Sequence, residues 1–168
     1  MVVVLNRRAI IAGLATVVAL PARSEEIVDL DWKDLLPKDA AASAIPNTLR
    51  GVLPHDEADL AAQQPMSAGV RTDWNGQTVR MNGFIVPVDY SGTGVTAFIL
   101  VPYVGACVHV PPPPANQLVF VTTSRPWESD GLFEPVTVTG MFGTASTSTQ
   151  LADIGYALSA DRIQNYRI

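Results

Sequence analysis

The sequence predicts a mainly β protein, a small five-stranded antiparallel barrel preceded by an N-terminal arm containing short helices. Three observations lead there. From residue 77 onward, β-branched and aromatic runs alternate at short intervals with Gly, Pro, Asn and Asp, the texture of strands joined by turns. Five of these runs have strand length, and closing so few strands into a ring removes the edges they would otherwise expose. Gly83 and Gly140 interrupt the apolar alternation where a closing strand has to bend.

The chain begins with a different kind of segment. Asn6-Arg7-Arg8 supplies positive charge, Ala9 to Leu20 is uncharged and apolar, and Pro21-Ala22-Arg23-Ser24 ends the run. That is the layout of a secretory signal peptide over residues 1–24, with a mature start at Glu25 and a periplasmic destination. A retained anchor is the other reading, but about 12 uninterrupted apolar residues fall short of the roughly 20 that cross a bilayer. Arg7-Arg8 ahead of the apolar run also fits the twin-arginine export route. Loss of Arg7, Arg8 and Arg23 with no acid moves the formal charge from −5 by three units to −8. Such a surface repels phosphate backbones, so nucleic acid is not an expected ligand.

Residues 25–76 are polar and punctuated by Ala and Pro, and form the arm. A turn at Asp31-Trp32-Lys33-Asp34-Leu35-Leu36 ends at Pro37, and residues 56–64 read as a short helix stopped by Pro65. Trp32, Leu35 and Leu36 are the expected anchors. The barrel domain, 77–168, has expected strands at 78–88, 95–103, 117–123, 135–142 and 154–164, in a ring resembling the oligonucleotide-binding type. Its expected core includes Phe84, Ile85, Phe98, Leu100, Val119, Val121, Val136 and Val138.

One segment stands apart. Pro111, Pro112, Pro113 and Pro114 fix φ, remove four backbone donors and favour a stiff extended strap. In an extended chain, residues two apart share a side, so Cys107 and His109 are expected to project together. Thiolate and imidazole suit zinc or copper, with zinc the favoured ion, but a closed tetrahedral site needs about four ligands. His55 in the arm, with Asp56 or Glu57, could complete it, as could the same pair from a second copy in a homodimer. A second reading makes Cys107, the only cysteine, a small buried residue and His109 a structural hydrogen-bonder. In a third, His109 lowers the thiol pKa and Cys107 is a nucleophile, although no resolving cysteine or orienting third group accompanies it. No convincing catalytic constellation is present, so an enzyme is the least favoured class. Tyr103, the four prolines, Asn116 and Gln117 form the candidate partner-binding surface.

The run Leu100-Val101-Pro102-Tyr103-Val104-Gly105-Ala106-Cys107, with His109-Val110 through the prolines to Asn116-Gln117, resembles the signature of the exported bacterial proteins grouped as domain of unknown function 3299. Asp31-Trp32-Lys33-Asp34-Leu35, Val79-Arg80-Met81-Asn82-Gly83-Phe84-Ile85-Val86-Pro87, Glu134-Pro135-Val136-Thr137-Val138-Thr139-Gly140 and Gly155-Tyr156-Ala157-Leu158 extend the match. The resemblance implies a periplasmic accessory protein, serving metal homeostasis or a membrane ABC-type transporter component, with no assigned activity. Lipid-anchored members carry a cysteine near the cleavage site. This chain has none, which implies a soluble form.

Overall fold

A computed structural model describes residues 26–38 and 63–166. The expected signal peptide and most of the expected 56–64 helix, with His55, Asp56 and Glu57, lie outside these residues. Among the described residues no helix is long and apolar enough to cross a membrane.

Among the described residues six strands occur in the order β1 (Val28–Asp29), β2 (Thr78–Ser91), β3 (Gly94–Val101), β4 (Val119–Trp127), β5 (Pro135–Ser148) and β6 (Asp153–Asn165). β2 to β6 form a ring in which β3 lies beside β2, β4 beside β3, β6 beside β4, β5 beside β6, and β5 returns to β2. This is the strand order of an oligonucleotide-binding barrel. Four seams are antiparallel, as expected, but β4 and β6 run parallel, with Val119 opposite Tyr156 and Val121 opposite Leu158. β5 is the hairpin partner of β6 and occupies its other side, so β6 meets β4 pointing the same way. β1 adds two residues parallel to β2.

Closure depends on the long β2. Its first half, to Phe84, pairs with β5, and from Phe84 onward it pairs with β3. At the change of partner a side chain on Gly83 would lie 2.8 Å from Leu100 Cγ and 2.9 Å from the Val101 carbonyl, so only glycine permits the approach. At Gly140, beside a register shift in β5, a Cβ would fall on the Ser159 carbonyl. Both expected bends are therefore places where another strand comes too close for a side chain.

Alternate residues of the strands fill the ring. Val79, Met81, Ile85, Phe98, Leu100, Val119, Val121, Val136, Val138, Phe142, Tyr156 and Leu158 share one buried cluster. Leu30 and Leu35 from the arm join it. Burial of a leucine contributes about 1.5–3 kcal/mol, which makes Leu35 the main apolar anchor of the turn Trp32–Leu35. Hydrogen bonds fix the rest of that turn. Trp32 Nε1 donates to the Asn82 carbonyl at 2.8 Å, Arg71 Nη1 to the Asp34 carbonyl at 2.8 Å, and the Tyr156 hydroxyl to the Leu35 carbonyl at 2.8 Å. Leu36, expected as a third anchor, is only half-buried.

Seven of the eight expected core residues are fully buried; Phe84 is the exception. Adjacent residues of a strand face opposite ways, so Ile85 points inward and Phe84 outward. Phe84 belongs to a second apolar layer on the outer surface of β2, β3 and β4, with Val86, Ile99, Val101 and Phe120. The β3–β4 connection folds over that layer.

Candidate functional site

The β3–β4 connection, residues 102–118, contains every candidate ligand and binding residue except His55, Asp56 and Glu57. Its first part is a tight turn and not an extended strap. The Gly105 carbonyl accepts the amides of Val108, His109 and Val110 at 3.3, 2.9 and 3.1 Å, and Gly105 and Cys107 have φ of 96° and 66°. The four prolines restrain the chain from Val110 onward but leave the preceding residues to fold around that carbonyl.

The turn sends Cys107 and His109 to different surroundings. Cys107 is 2 % exposed, among Val86, Ile99, Val101, Ala106, Leu118, Ala152 and Ile154. His109 is exposed, with its ring centroid 6.0 Å from that of Phe133. Projection to one side, expected for an extended segment, is not observed. Among the described residues no three His, Cys, Asp or Glu side chains come together as a group able to hold a metal ion. Burial pushes the Cys107 thiol up to about 12, so at neutral pH it is protonated, the opposite of an activated nucleophile.

The expected binding surface divides in the same way. Pro112 and Pro113 are buried, and the Pro113 carbonyl accepts Gln64 Nε2 at 2.9 Å. The Gln64 amide also exchanges hydrogen bonds with the Asp153 backbone, tying the arm to β6 across the prolines. Asn116 is 2 % exposed; its Nδ2 donates to the Gly69 carbonyl at 2.9 Å and its Oδ1 has no partner. Gln117 donates to the Trp32 carbonyl at 2.9 Å. These residues hold the loop and arm together instead of facing a partner. The large apolar side chains that the loop presents outward are Tyr103, 43 % exposed, and Val104, 60 % exposed. Burial of the Tyr103 ring, and then its proximity to Cys107, raise its hydroxyl above the usual tyrosine range.

A second loop, from β4 to β5, was not among the expected sites. Phe133 (φ 62°) donates its amide to the Ile85 carbonyl at 2.8 Å, and the Ile85 amide donates in turn to the Glu134 carbonyl at 3.0 Å. Glu134, 8 % exposed, accepts Ser129 Oγ at 2.6 Å, the Asp130 amide at 3.1 Å and Trp127 Nε1 at 3.2 Å. The loop bounds an open depression of about 400 Å³. In sequence, Ser129-Asp130-Gly131 signals a turn, but nothing marks Glu134 as the residue around which it closes.

Fold and loop together define a closed oligonucleotide-binding-type barrel whose β3–β4 connection covers the outer surface of β2, β3 and β4. The family described as "Protein of unknown function (DUF3299)" matches residues 32–165, and the chain belongs to it. The crystal structure of a family member from Pseudomonas aeruginosa PAO1 is similar, with 38 % sequence identity and a TM-score of 0.71 over 85 % of this chain and 98 % of that one. A comparison with curated proteins returns no match.

Proposed function

We propose that this protein is an exported, periplasmic accessory module that acts by binding a protein partner, with a membrane ABC-type transporter component as the candidate. The observation that carries the reading is a locked loop with an apolar tip: Tyr103 and Val104 are exposed, while Ala106, Cys107, Pro112 and Pro113 behind them are buried. A pre-ordered aromatic loses little conformational entropy on binding, and tyrosine is among the residues that dominate interface energies. Export is supported by the charged start, apolar stretch and small residues of 1–24.

Other uses of the site demand more. Zinc held by Cys107 and His109 would require the turn on Gly105 to open and the sulfur to leave an apolar cluster. Thiol catalysis would have to overcome the high pKa of Cys107. Nucleic acid would meet net negative charge and an outer surface filled by the protein's own loop.

The test is capture from detergent-solubilised membranes of the native host, comparing the tagged protein with Tyr103→Ala/Val104→Ser. A defined membrane protein should co-purify with the former and fall by roughly 30-fold or more with the latter, at unchanged Tm. Equal recovery with both proteins, or no membrane partner with either, would overturn the reading.

A further inference from the structure

We infer that the depression bounded by the β4–β5 loop receives an arginine side chain of the protein partner. The inference rests on the protein-binding reading above and adds a chemical identity for what the partner presents. Asp130, Leu132, Phe133, Glu134, Asn165 and Tyr166 line the depression, and among its described lining residues there is no base.

Glu134 is nine-tenths buried, and all three hydrogen bonds it receives end on Oε2. Among the described residues no donor reaches Oε1. Asp130 contributes a second carboxylate, and among the described residues neither acid forms an ion pair. Tyr166 and Phe133 are aromatic residues of the same lining, and the Phe133 ring also packs on the outer apolar layer, 6.0 Å from the ring of His109.

Carboxylates together with aromatic residues match a guanidinium, which donates in a planar fork and stacks on aromatic rings. An ammonium satisfies the charge but neither the fork nor the stack. The shape selects the source. A small ligand needs about 70–90 % of its surface buried, which an open depression does not provide. A side chain delivered by a protein brings its own surroundings to close the rim. The location agrees, because Phe84 pairs with Val101, just before the Tyr103–Val104 tip, and with Pro135, just after the β4–β5 loop. Both loops therefore leave the barrel at the same point of β2.

The test is an NMR titration of the ¹⁵N-labelled protein with Nα-acetyl-arginine methylamide, alongside the citrulline and lysine counterparts. The arginine compound should produce saturable shifts at Gly131, Leu132, Glu134 and Tyr166, with roughly millimolar affinity. Citrulline, the neutral isostere, should bind about tenfold more weakly or not at all, and lysine more weakly than arginine. Asp130→Asn and Tyr166→Ala should each weaken binding about fivefold with the rest of the spectrum unchanged. Glu134 is left intact because it anchors the loop. Absence of saturable shifts, or equal binding of citrulline or lysine, would overturn the inference. If the arginine probe fails while Tyr103→Ala/Val104→Ser still abolishes partner capture, the depression loses its assignment and the accessory reading stands. If the probe binds and no partner is captured, the reverse holds.

Discussion

Tyr156→Phe removes one oxygen from the place where arm and barrel are joined. That hydroxyl donates to the Leu35 carbonyl at 2.8 Å and accepts the Arg71 amide at 2.7 Å. Tyr156 and Leu35 are both fully buried, so after the substitution the Leu35 carbonyl has no route to water. A buried backbone group left without a partner costs about 1–3 kcal/mol. Arg71 is only half-buried, and its amide can turn to solvent at smaller cost. The ring itself is retained, stacked on Phe142 at 5.1 Å between centroids, so no cavity term is added. The expected loss is therefore about 2 kcal/mol. With a urea m-value of about 2 kcal/mol/M, the unfolding midpoint followed by tryptophan fluorescence should fall by about 1 M at constant m. The Trp32–Leu35 turn should also become more susceptible to native-state proteolysis. A midpoint within about 0.2 M of the parent would refute the claim that this hydroxyl joins the two parts.

The remaining predictions concern three other sites. Because burial raises the folded-state Cys107 pKa from 9.0 to about 12, the resulting stability is fully present below pH 9 and lost as pH rises towards 12. The loss should approach about 1.4 kcal/mol per pH unit and be absent in Cys107→Ala; superimposable alkaline unfolding curves would contradict it. The same burial predicts no maleimide labelling of the native protein at pH 7 and rapid labelling in urea. Gly140→Ala places a methyl on the Ser159 carbonyl, 2.8 Å from Ala160 Cα, and should cost about 1–3 kcal/mol in thermal unfolding; a change below about 0.5 kcal/mol would show that β6 yields freely. Glu134→Ala deprives three donors of their acceptor and should destabilise by about 2 kcal/mol. Hydrogen exchange at the Asp130 amide should accelerate, and unchanged protection there would count against Glu134 as the anchor of the loop.

The barrel was legible because its inward residues recur every second position. Phe98 and Leu100, Val119 and Val121, and Val136 and Val138 declare their strands and face together. Strand direction leaves no such mark, so the parallel seam of β4 and β6 could not be read from pattern. Phe84 and Ile85 show a related limit: two large apolar neighbours cannot both face inward, and composition does not say which will. The strap was legible from Val110 onward, where proline geometry governs, and misread at Cys107-Val108-His109, where three amides gather on one carbonyl. The turn is a local hydrogen-bonding choice that strand periodicity does not describe. Burial of Pro112 and Pro113 depends on the rest of the fold, including Gln64 from the arm, and leaves no trace in their own neighbourhood.

The parallel seam constrains how the molecule can be made. β6 lies between β4 and β5, so the ring has no closed form without it. A chain emerging from a ribosome or a translocation channel can zip β2 with β3 and then add β4, but this sheet has two open edges. Its apolar inner side, with Phe98, Leu100, Val119 and Val121, stays wet until residues 153–165 arrive. Assembly is therefore gated by the final strand, and the interval before its arrival is when the chain is most vulnerable to pairing with another.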